Sequence, residues 1–257
     1  MALIVITSAS GSPGVTATTL GLALTSTRPT LVVEADPTGG SAILAGYLRG
    51  GTTPPDSLID LAVANRHGAL AEALPRMTVP VSEKVSFVPG TRSHTQARSL
   101  GALWESLATV LRGLERTGQD VIVDAGRLGL LGSPEPLIRA ADLCLLATRS
   151  DLVSLSAARS WGESLRDDFE RLGGAASLGV LMIGEGHPYR AREVRSVLQI
   201  PVAASLAWDP ETARVFSRGA KAPKRFDTSP LVRSLRAAHD RLEATVESNR
   251  AELERAV

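Results

Sequence analysis

Three segments of the sequence carry residue types suited to binding a phosphorylated ligand. Residues 8–19 (SASGSPGVTATT) combine glycine with short hydroxyl side chains and precede a stretch of helical period. Asp36 lies just after one apolar run, and Asp124 ends another. Glycine and hydroxyl residues that lead into a helix are typical of a phosphate cradle. Because ligands of parallel sheets bind outside the carboxyl ends of the strands, these positions are predicted to meet at one site.

The elements that must position these residues alternate along the chain. Short runs rich in Val, Ile and Leu, typical of buried parallel strands, are separated by longer stretches of helical period. The predicted strands are Leu3–Thr7, Thr30–Glu34, Lys84–Val88, Asp120–Asp124, Asp142–Thr148, Leu178–Ile183 and Val202–Leu206. Helices are predicted near residues 17–27, 40–48, 57–74, 97–117, 152–172 and 190–199. The pattern predicts an α/β fold with a doubly wound, mainly parallel sheet flanked by helices, similar to that of P-loop NTPases, plus a C-terminal helix.

The C-terminal part of the sequence adds two further features. A short helix is predicted over Trp208–Arg218, followed by a basic loop over Gly219–Asp227. Ser229 and Pro230 are typical of a helix start, so a final helix is predicted from there. Its apolar stripe favours docking on its own domain and comprises Leu231, Leu235, Ala238, Leu242, Val246 and Leu253. We therefore divide the chain into a domain over residues 1–228 and a helical segment over 229–257.

Composition excludes several classes of protein. The chain has 257 residues, 44% of them hydrophobic, which is enough for a sizeable core. Its 28 basic and 27 acidic residues give no global field for nucleic acid or membrane, and 4% aromatics disfavour base-stacking platforms. A single cysteine, Cys144, cannot form an internal disulfide, and the four histidines lack metal-ligand spacing. We expect a cytoplasmic protein with no signal peptide and no membrane span.

Four local motifs then carry a family resemblance. Residues 12–19 (SPGVTATT) form the loop, and residues 31–37 (LVVEADP) form an apolar strand that ends in acids. Residues 120–124 (DVIVD) form a second acidic strand, and Pro201–Gly219 contains Trp208-Asp209-Pro210. These motifs, over about residues 1–220, resemble the ParA/MinD family of partitioning ATPases, the deviant-Walker branch of P-loop NTPases. In that family the loop reads Lys-Gly-Gly-Val-Gly-Lys-Thr-Thr. The strand that corresponds to residues 31–37 ends there in Asp-x-Asp-Pro, and this chain has Glu34 in place of the first Asp.

The resemblance implies a nucleotide site with named residues. Asp36 would orient the attacking water if the protein is active, and Thr18 and Asp124 would hold Mg²⁺ if nucleotide binds. Arg127 and Arg149 would stand in for missing lysines. The residues implied at the nucleotide are Gly11, Ser12, Pro13, Gly14, Val15, Thr16, Ala17, Thr18, Thr19, Arg127, Arg149, Asp209 and Pro210. The alternative for both arginines is a solvent-facing loop position, and for both aspartates a role as caps or turn residues.

Four departures weaken this loop together. Ala17 replaces the lysine that contacts the β- and γ-phosphates, and Ser12 replaces the lysine that reaches a dimer partner's phosphates. Thr16 adds a branched Cβ where the family has glycine, and Pro13 removes a backbone N–H. One cation at about 4 Å from a phosphate charge is worth roughly 4 kcal/mol at an effective dielectric near 20. We therefore expect no tightly bound cofactor, with ATP and Mg²⁺ as ligands only if the site is functional.

Three functions remain open at this stage. The first is a ParA/MinD-like adaptor with a degenerate site, which is non-catalytic or binds nucleotide weakly and acts in positioning or regulation through protein partners. The second is an ATP-dependent dimerisation switch, a weak ATPase that forms a homodimer. The third is a non-specific DNA-binding module that uses the densest basic stretch of the sequence, Arg218, Lys221, Lys224 and Arg225.

Overall fold

One eight-stranded sheet forms the centre of the molecule. The computed structural model describes residues 3–10, 13–54 and 57–256, without the side chains of residues 253, 254 and 256. Along the sheet the strand order is β3-β4-β2-β5-β1-β6-β7-β8, and only the β3–β4 pair is antiparallel. The strands are β1 Leu3–Ser8, β2 Thr30–Glu34, β3 Val79–Pro80, β4 Val85–Val88, β5 Asp120–Arg127, β6 Leu143–Arg149, β7 Leu178–Ile183 and β8 Val202–Leu206.

Helices cover both faces of the sheet. They are α1 Val15–Thr25, α2 Ser57–Arg66, α3 Leu70–Ala73, α4 His94–Ala97, α5 Trp104–Gly113, α6 Glu135–Ala140, α7 Leu152–Arg171, α8 Ala191–Leu198, α9 Pro210–Arg218 and α10 Pro230–Ala256. One apolar core contains Trp104 of α5 and Phe169 of α7, and the other contains Leu20 of α1 and Phe216 of α9. Every residue of the central strand β1 is buried, because it has helices on both sides. The predicted doubly wound α/β class is confirmed.

Several helices are shorter than the sequence pattern predicts. The helix predicted over 57–74 ends at Arg66, because Gly68 adopts a left-handed φ of 71° before α3 begins. Of the stretch predicted over 97–117, only Trp104–Gly113 forms an α-helix beyond the end of α4, and this helix, α5, continues as a 3₁₀ turn over Leu114–Thr117. Residues 40–48 form a single π-helical segment over Ile43–Tyr47. The sequence analysis missed α6 and the edge strand β3, since six and two residues are too short to show a clear period.

The long helix α10 spans the side of the sheet next to α1 and β8. Its buried side chains are Leu231, Val232, Leu235, Ala238, Leu242 and Val246. Towards its end, Arg250 Nη2 lies 3.0 Å from Asp142 Oδ2, which also accepts a 2.8 Å hydrogen bond from the Leu3 N–H. The helix therefore joins its own end to the starts of strands β1 and β6. Leu253 belongs to the predicted stripe, but its side chain lies outside the described residues.

Within the described part of the chain, no helix combines the length and the apolar character that a bilayer crossing requires.

Candidate functional site

The loop between β1 and α1 brings the start of α1 to the carboxyl edge of the sheet. Gly14 caps the helix with φ 100° and ψ 35°, a left-handed conformation that favours glycine. Its carbonyl accepts the first helical hydrogen bond, from the Thr18 N–H at 2.9 Å. Pro13, Val15, Thr18 and Thr19 are buried. Gly11 and Ser12, which the sequence analysis placed at the nucleotide, lie outside the described residues.

Asp124 is the most buried acid of the site. It lies on β5 beside β1, and only 1% of its surface is exposed. The Thr16 hydroxyl donates to its Oδ2 at 2.5 Å, and the Gly126 N–H donates to its Oδ1 at 2.9 Å. Burial raises the pKa of Asp124 to about 7, against the lowering effect of these two hydrogen bonds, and the negative charges of Asp36 and Glu34 raise it further. The contact with Thr16 has no signal in the sequence beyond its departure from glycine.

Asp36 is held against the same strand end. Its Oδ1 accepts from the Thr38 N–H at 2.9 Å and from the Thr38 hydroxyl at 2.8 Å, so a local turn fixes the side chain. A Cβ added to Gly126, whose φ is 63°, would lie 2.3 Å from the Asp36 carboxyl carbon. The Asp36 carboxylate therefore lies directly against the backbone of Gly126, the residue whose N–H donates to Asp124.

Glu34 is buried behind these two aspartates and makes structural contacts. It pairs with Asp124 in the register of β2 and β5. Its carboxylate accepts from the Ser41 hydroxyl, from the Ile43 N–H at 3.1 Å and from the Gly90 N–H at 3.3 Å. Burial raises the pKa of Glu34 above its ordinary value in spite of these hydrogen bonds. Glu34 thus holds the start of the π-helical segment, a role that the sequence analysis missed.

The described part of the chain places no cationic side chain at ion-pair distance from these three acids. Among the described residues, no lysine or arginine lies within ion-pair distance of Glu34, Asp36 or Asp124. Lys84 lies at the amino end of β4, away from the acids, and donates to the Thr27 carbonyl at 2.8 Å. The part of the chain that the structure describes also contains no cluster of three or more His, Cys, Asp or Glu side chains arranged for a metal ion.

A cavity of about 560 Å³ opens on the other side of the α1 start. Arg149 and Trp208 both line this cavity. The Arg149 guanidinium lies 5.0 Å from the centre of the Trp208 ring, a cation–π distance. Asp209 caps α9, because its carboxylate accepts from the Thr212 N–H at 3.1 Å and from the Thr212 hydroxyl at 2.7 Å. Of the residues expected at the nucleotide, the cavity brings together Pro13, Gly14, Ala17, Thr18, Arg149, Asp209 and Pro210. It does not include Val15, Thr16, Thr19 or Arg127 in its lining, and Arg127 is exposed at the end of β5.

The predicted basic patch is exposed next to this cavity. Its members Arg218, Lys221, Lys224 and Arg225 are all exposed, and Arg218 also lines the cavity. The loop begins at Gly219, whose carbonyl accepts a 2.8 Å hydrogen bond from Arg49 Nε. This contact fixes the start of the patch to the segment that follows the π-helical turn.

Comparisons with known proteins identify the fold. No protein-family model and no curated protein matches the sequence. The septum site-determining protein MinD of Pyrococcus horikoshii OT3, complexed with Mg-ADP, has a TM-score of 0.72 at 18% identity, covering 96% of this chain and 97% of that chain. A ParA family ATPase from Chlorobium tepidum TLS has a TM-score of 0.71 at 16% identity, with coverages of 91% and 96%.

A complex provides a further neighbour. A chain of the Aquifex aeolicus MinC:MinD cell division protein complex has a TM-score of 0.70 at 15% identity, and the alignment covers 94% of this chain and 95% of that chain. At these identities the likeness is one of fold. The chain has the fold of the MinD and ParA-family ATPases, as the sequence motifs indicate.

Proposed function

We propose that this protein is a non-catalytic, MinD/ParA-like adaptor that acts in positioning or regulation through protein contacts. The observation that carries the proposal is the charge balance at the start of α1. Glu34, Asp36 and Asp124 converge there, and Ala17 occupies the position of the family lysine. A triphosphate would face these carboxylates without the lysine that offsets them, each such charge contact being worth roughly 4 kcal/mol at about 4 Å.

The residues at this site do not fit a Mg²⁺–triphosphate ligand. Both oxygens of Asp124 are engaged by protein donors, Thr16 on one side and Gly126 on the other. Thr18 is buried in α1, and Ala17 beside it carries no charge. The remaining cavity, with Arg149 and Trp208, suits at most weak binding of the nucleoside end of a nucleotide. We therefore assign no ATP-dependent step to the protein.

Equilibrium dialysis with labelled ATP and Mg²⁺ tests this function. We expect no binding at micromolar ATP by the purified protein. The informative comparison is the Arg149→Ala variant, which removes a cation from the cavity without touching Asp124 or Thr16. Micromolar Mg²⁺-dependent binding by the wild type would overturn the proposal, and its loss in Arg149→Ala would show that arginine replaces the family lysine.

A weak ATPase switch is the second candidate, and the position of Arg149 favours it. Arg149 lines the cavity together with Ala17 and Thr18, so an arginine lies beside the helix start. In this case Asp36 would orient the attacking water and Asp124 would hold the metal shell. Turnover that disappears in Asp36→Ala while the fold survives would support this function; turnover that is absent or insensitive to the change would exclude it.

DNA binding is the third candidate, and the exposure of the basic patch favours it. Fluorescence anisotropy with random duplex DNA, measured over a range of salt, tests it. Binding that weakens steeply with salt and is lost when Lys221, Lys224 and Arg225 are changed to Glu would support it. Changing Arg159, Arg166 and Arg192 to Glu provides a charge-matched control on other exposed helices.

A further inference from the structure

We propose that the Thr16 hydroxyl occupies Asp124, the carboxylate that would otherwise hold a metal ion, and so disfavours metal-bound polyphosphates at this site. We call this contact between Thr16 and Asp124 the latch. This inference rests on the proposed function in one respect, namely that the wild-type site does not bind Mg²⁺–ATP. It goes beyond it by assigning the exclusion of metal to one hydroxyl group.

The latch is built from two fixed ends. Asp124 is buried on the central part of the sheet, and its Oδ1 already accepts from the Gly126 N–H. Thr16 lies in the first turn of α1, which begins at the Gly14 cap. Its hydroxyl donates to the remaining oxygen, Oδ2. Each carboxylate oxygen therefore accepts one hydrogen bond from a protein donor.

A buried carboxylate needs such partners, because an ionised group without them is strongly destabilised. Glycine at position 16 would leave Oδ2 facing the site without the hydroxyl, and a hard cation is the strongest alternative partner for an oxygen anion. The Thr16 hydroxyl and a cation compete for the same oxygen. Thr16 stabilises the site as it stands and disfavours the metal.

Thr16 and Ala17 therefore each remove a different interaction with Mg²⁺–ATP, one with the metal ion and one with the phosphates. Ala17 removes the positive charge that would contact the phosphates, whereas Thr16 occupies the carboxylate that would contact the metal side. A lysine at position 17 restores the first part only. We infer that both positions must change before Mg²⁺–ATP binds.

Isothermal titration calorimetry with Mg²⁺–ATP tests the latch in the Ala17→Lys background. We compare Ala17→Lys alone with Ala17→Lys combined with Thr16→Ala, Thr16→Ser or Thr25→Ala. Thr25 lies at the other end of α1 and donates to the Gly21 carbonyl at 2.8 Å, so its loss controls for removal of a helical hydroxyl. Circular dichroism melts confirm that each variant is folded.

We expect the Thr16→Ala combination to bind Mg²⁺–ATP at least about tenfold more tightly than Ala17→Lys alone, as loss of a charge-assisted competitor implies. The gain should disappear when EDTA replaces Mg²⁺. The Thr16→Ser and Thr25→Ala combinations should bind like Ala17→Lys alone, because both keep the hydroxyl on Asp124. Equal affinity of all four proteins would overturn the latch, while tight binding by the wild type would instead overturn the proposed function.

A second measurement needs no substitution and covers the case in which a variant does not fold. The carboxyl carbon resonance of Asp124 is followed by NMR in the wild type while MgCl₂ is added to millimolar concentration. We expect it to stay unchanged. A saturable shift of this resonance would mean that Mg²⁺ reaches Asp124 past Thr16, and the latch would be wrong.

Discussion

At the scale of single residues, the two neighbouring hydroxyls of α1 have opposite environments. The Thr16 hydroxyl binds a buried carboxylate, whereas Thr19 Oγ1 is buried and has no hydrogen-bond partner among the described residues. Replacement by valine keeps the shape of threonine and removes only the hydroxyl. The pair therefore isolates the value of one hydrogen bond.

We expect Thr16→Val to lower the free energy of unfolding by about 1–3 kcal/mol, because it leaves Asp124 without one donor. Thr19→Val should be neutral or raise stability by up to ~1 kcal/mol, since it removes a polar atom that is buried without a partner. Urea unfolding of both variants checks this. A loss of stability in Thr19→Val as large as that in Thr16→Val would contradict these assignments.

The raised pKa of Asp124 predicts a dependence of stability on pH. The folded-state pKa of about 7 exceeds the ordinary value of 3.8, so folding is most favourable below the unfolded pKa and loses stability as the pH rises through about 7. The Asp36 and Glu34 carboxylates face the same group, and the raised pKa of Glu34 acts in the same direction. A single substitution at Asp124 separates its share from theirs.

We expect Asp124→Asn to be more stable than the wild type at about pH 8, by up to roughly 4 kcal/mol, with the difference shrinking as the pH falls towards about 4. Glu34 and Asp36 are present in both proteins, so they enter the comparison only through their repulsion of the Asp124 charge. Urea unfolding across this pH range measures the difference. A wild type that is the more stable protein at high pH would show that Asp124 is stabilised as an anion.

The sequence could predict which residues gather at the site but not which atoms bind one another. Asp36 and Asp124 end apolar strands, and parallel strands bring those ends to one edge, so their meeting follows from periodicity. The contact between Thr16 and Asp124 depends on side-chain direction at the first turn of α1. The partners of Glu34 come from Ser41, Ile43 and Gly90, which only the folded chain brings together.

At the scale of elements, the end of β5 packs against the turn after β2 with no room for a side chain. Gly126 has a left-handed φ of 63°, and the Asp36 carboxylate occupies the place of its absent Cβ. Strand β5 continues to Arg127, past the Asp124 at which the sequence pattern ends it, and its register with β1 shifts between Ile6 and Ser8. This irregularity directs the Gly126 N–H to Asp124. The hydrophobic pattern of the sequence does not predict such a register shift.

We expect Gly126→Ala to lower the free energy of unfolding by about 1–3 kcal/mol, from strain in the backbone and from the clash with Asp36. In the Asp36→Gly background the same change should cost less, because the clash is gone and only the backbone strain remains. A double-mutant cycle in urea measures this coupling. Equal costs in both backgrounds would mean that Asp36 moves away freely and is not fixed by Thr38.

Helix α7 begins with two apolar side chains in solvent, which suits the adaptor function. Leu152 is 68% exposed and Val153 is 81% exposed, directly after β6 at the edge that carries the site. Asp151 caps this helix by accepting from the Ser154 N–H at 2.9 Å, so the pair is held on a rigid first turn. Under the proposed adaptor function, we expect this turn to contact a protein partner.

A photo-crosslinking residue at Val153 tests this contact in cells. We expect a discrete adduct from position 153 and none from Glu163, an exposed position further along the same helix. The adduct should be lost when Leu152 is changed to Asp. Labelling of equal strength from both positions would indicate unspecific contact and contradict the assignment.

At the scale of the whole molecule, the chain has the family's fold but not the lysine that contacts the phosphates of ATP in that family. The resemblance implies a homodimer that sandwiches ATP, which requires positive charge facing the phosphates. Among the described residues that face carries Glu34, Asp36 and Asp124 with no lysine or arginine at ion-pair distance, while Arg149 and Arg218 line the cavity on the other side of the α1 start. The architecture is complete, whereas in the described part of the site Ala17 stands where the family has the lysine that contacts the phosphates.

We therefore expect the molar mass of the protein in solution to be the same with and without Mg²⁺–ATP. Light scattering coupled to size exclusion measures it at several protein concentrations, with Mg²⁺–ADP as a second ligand and Ala17→Lys with Thr16→Ala as the matched variant. Because this variant regains both parts of ligand binding, any ATP-dependent increase in mass should occur in it alone. A doubling of mass in the wild type on addition of Mg²⁺–ATP would show that the three carboxylates do not prevent a nucleotide-linked dimer.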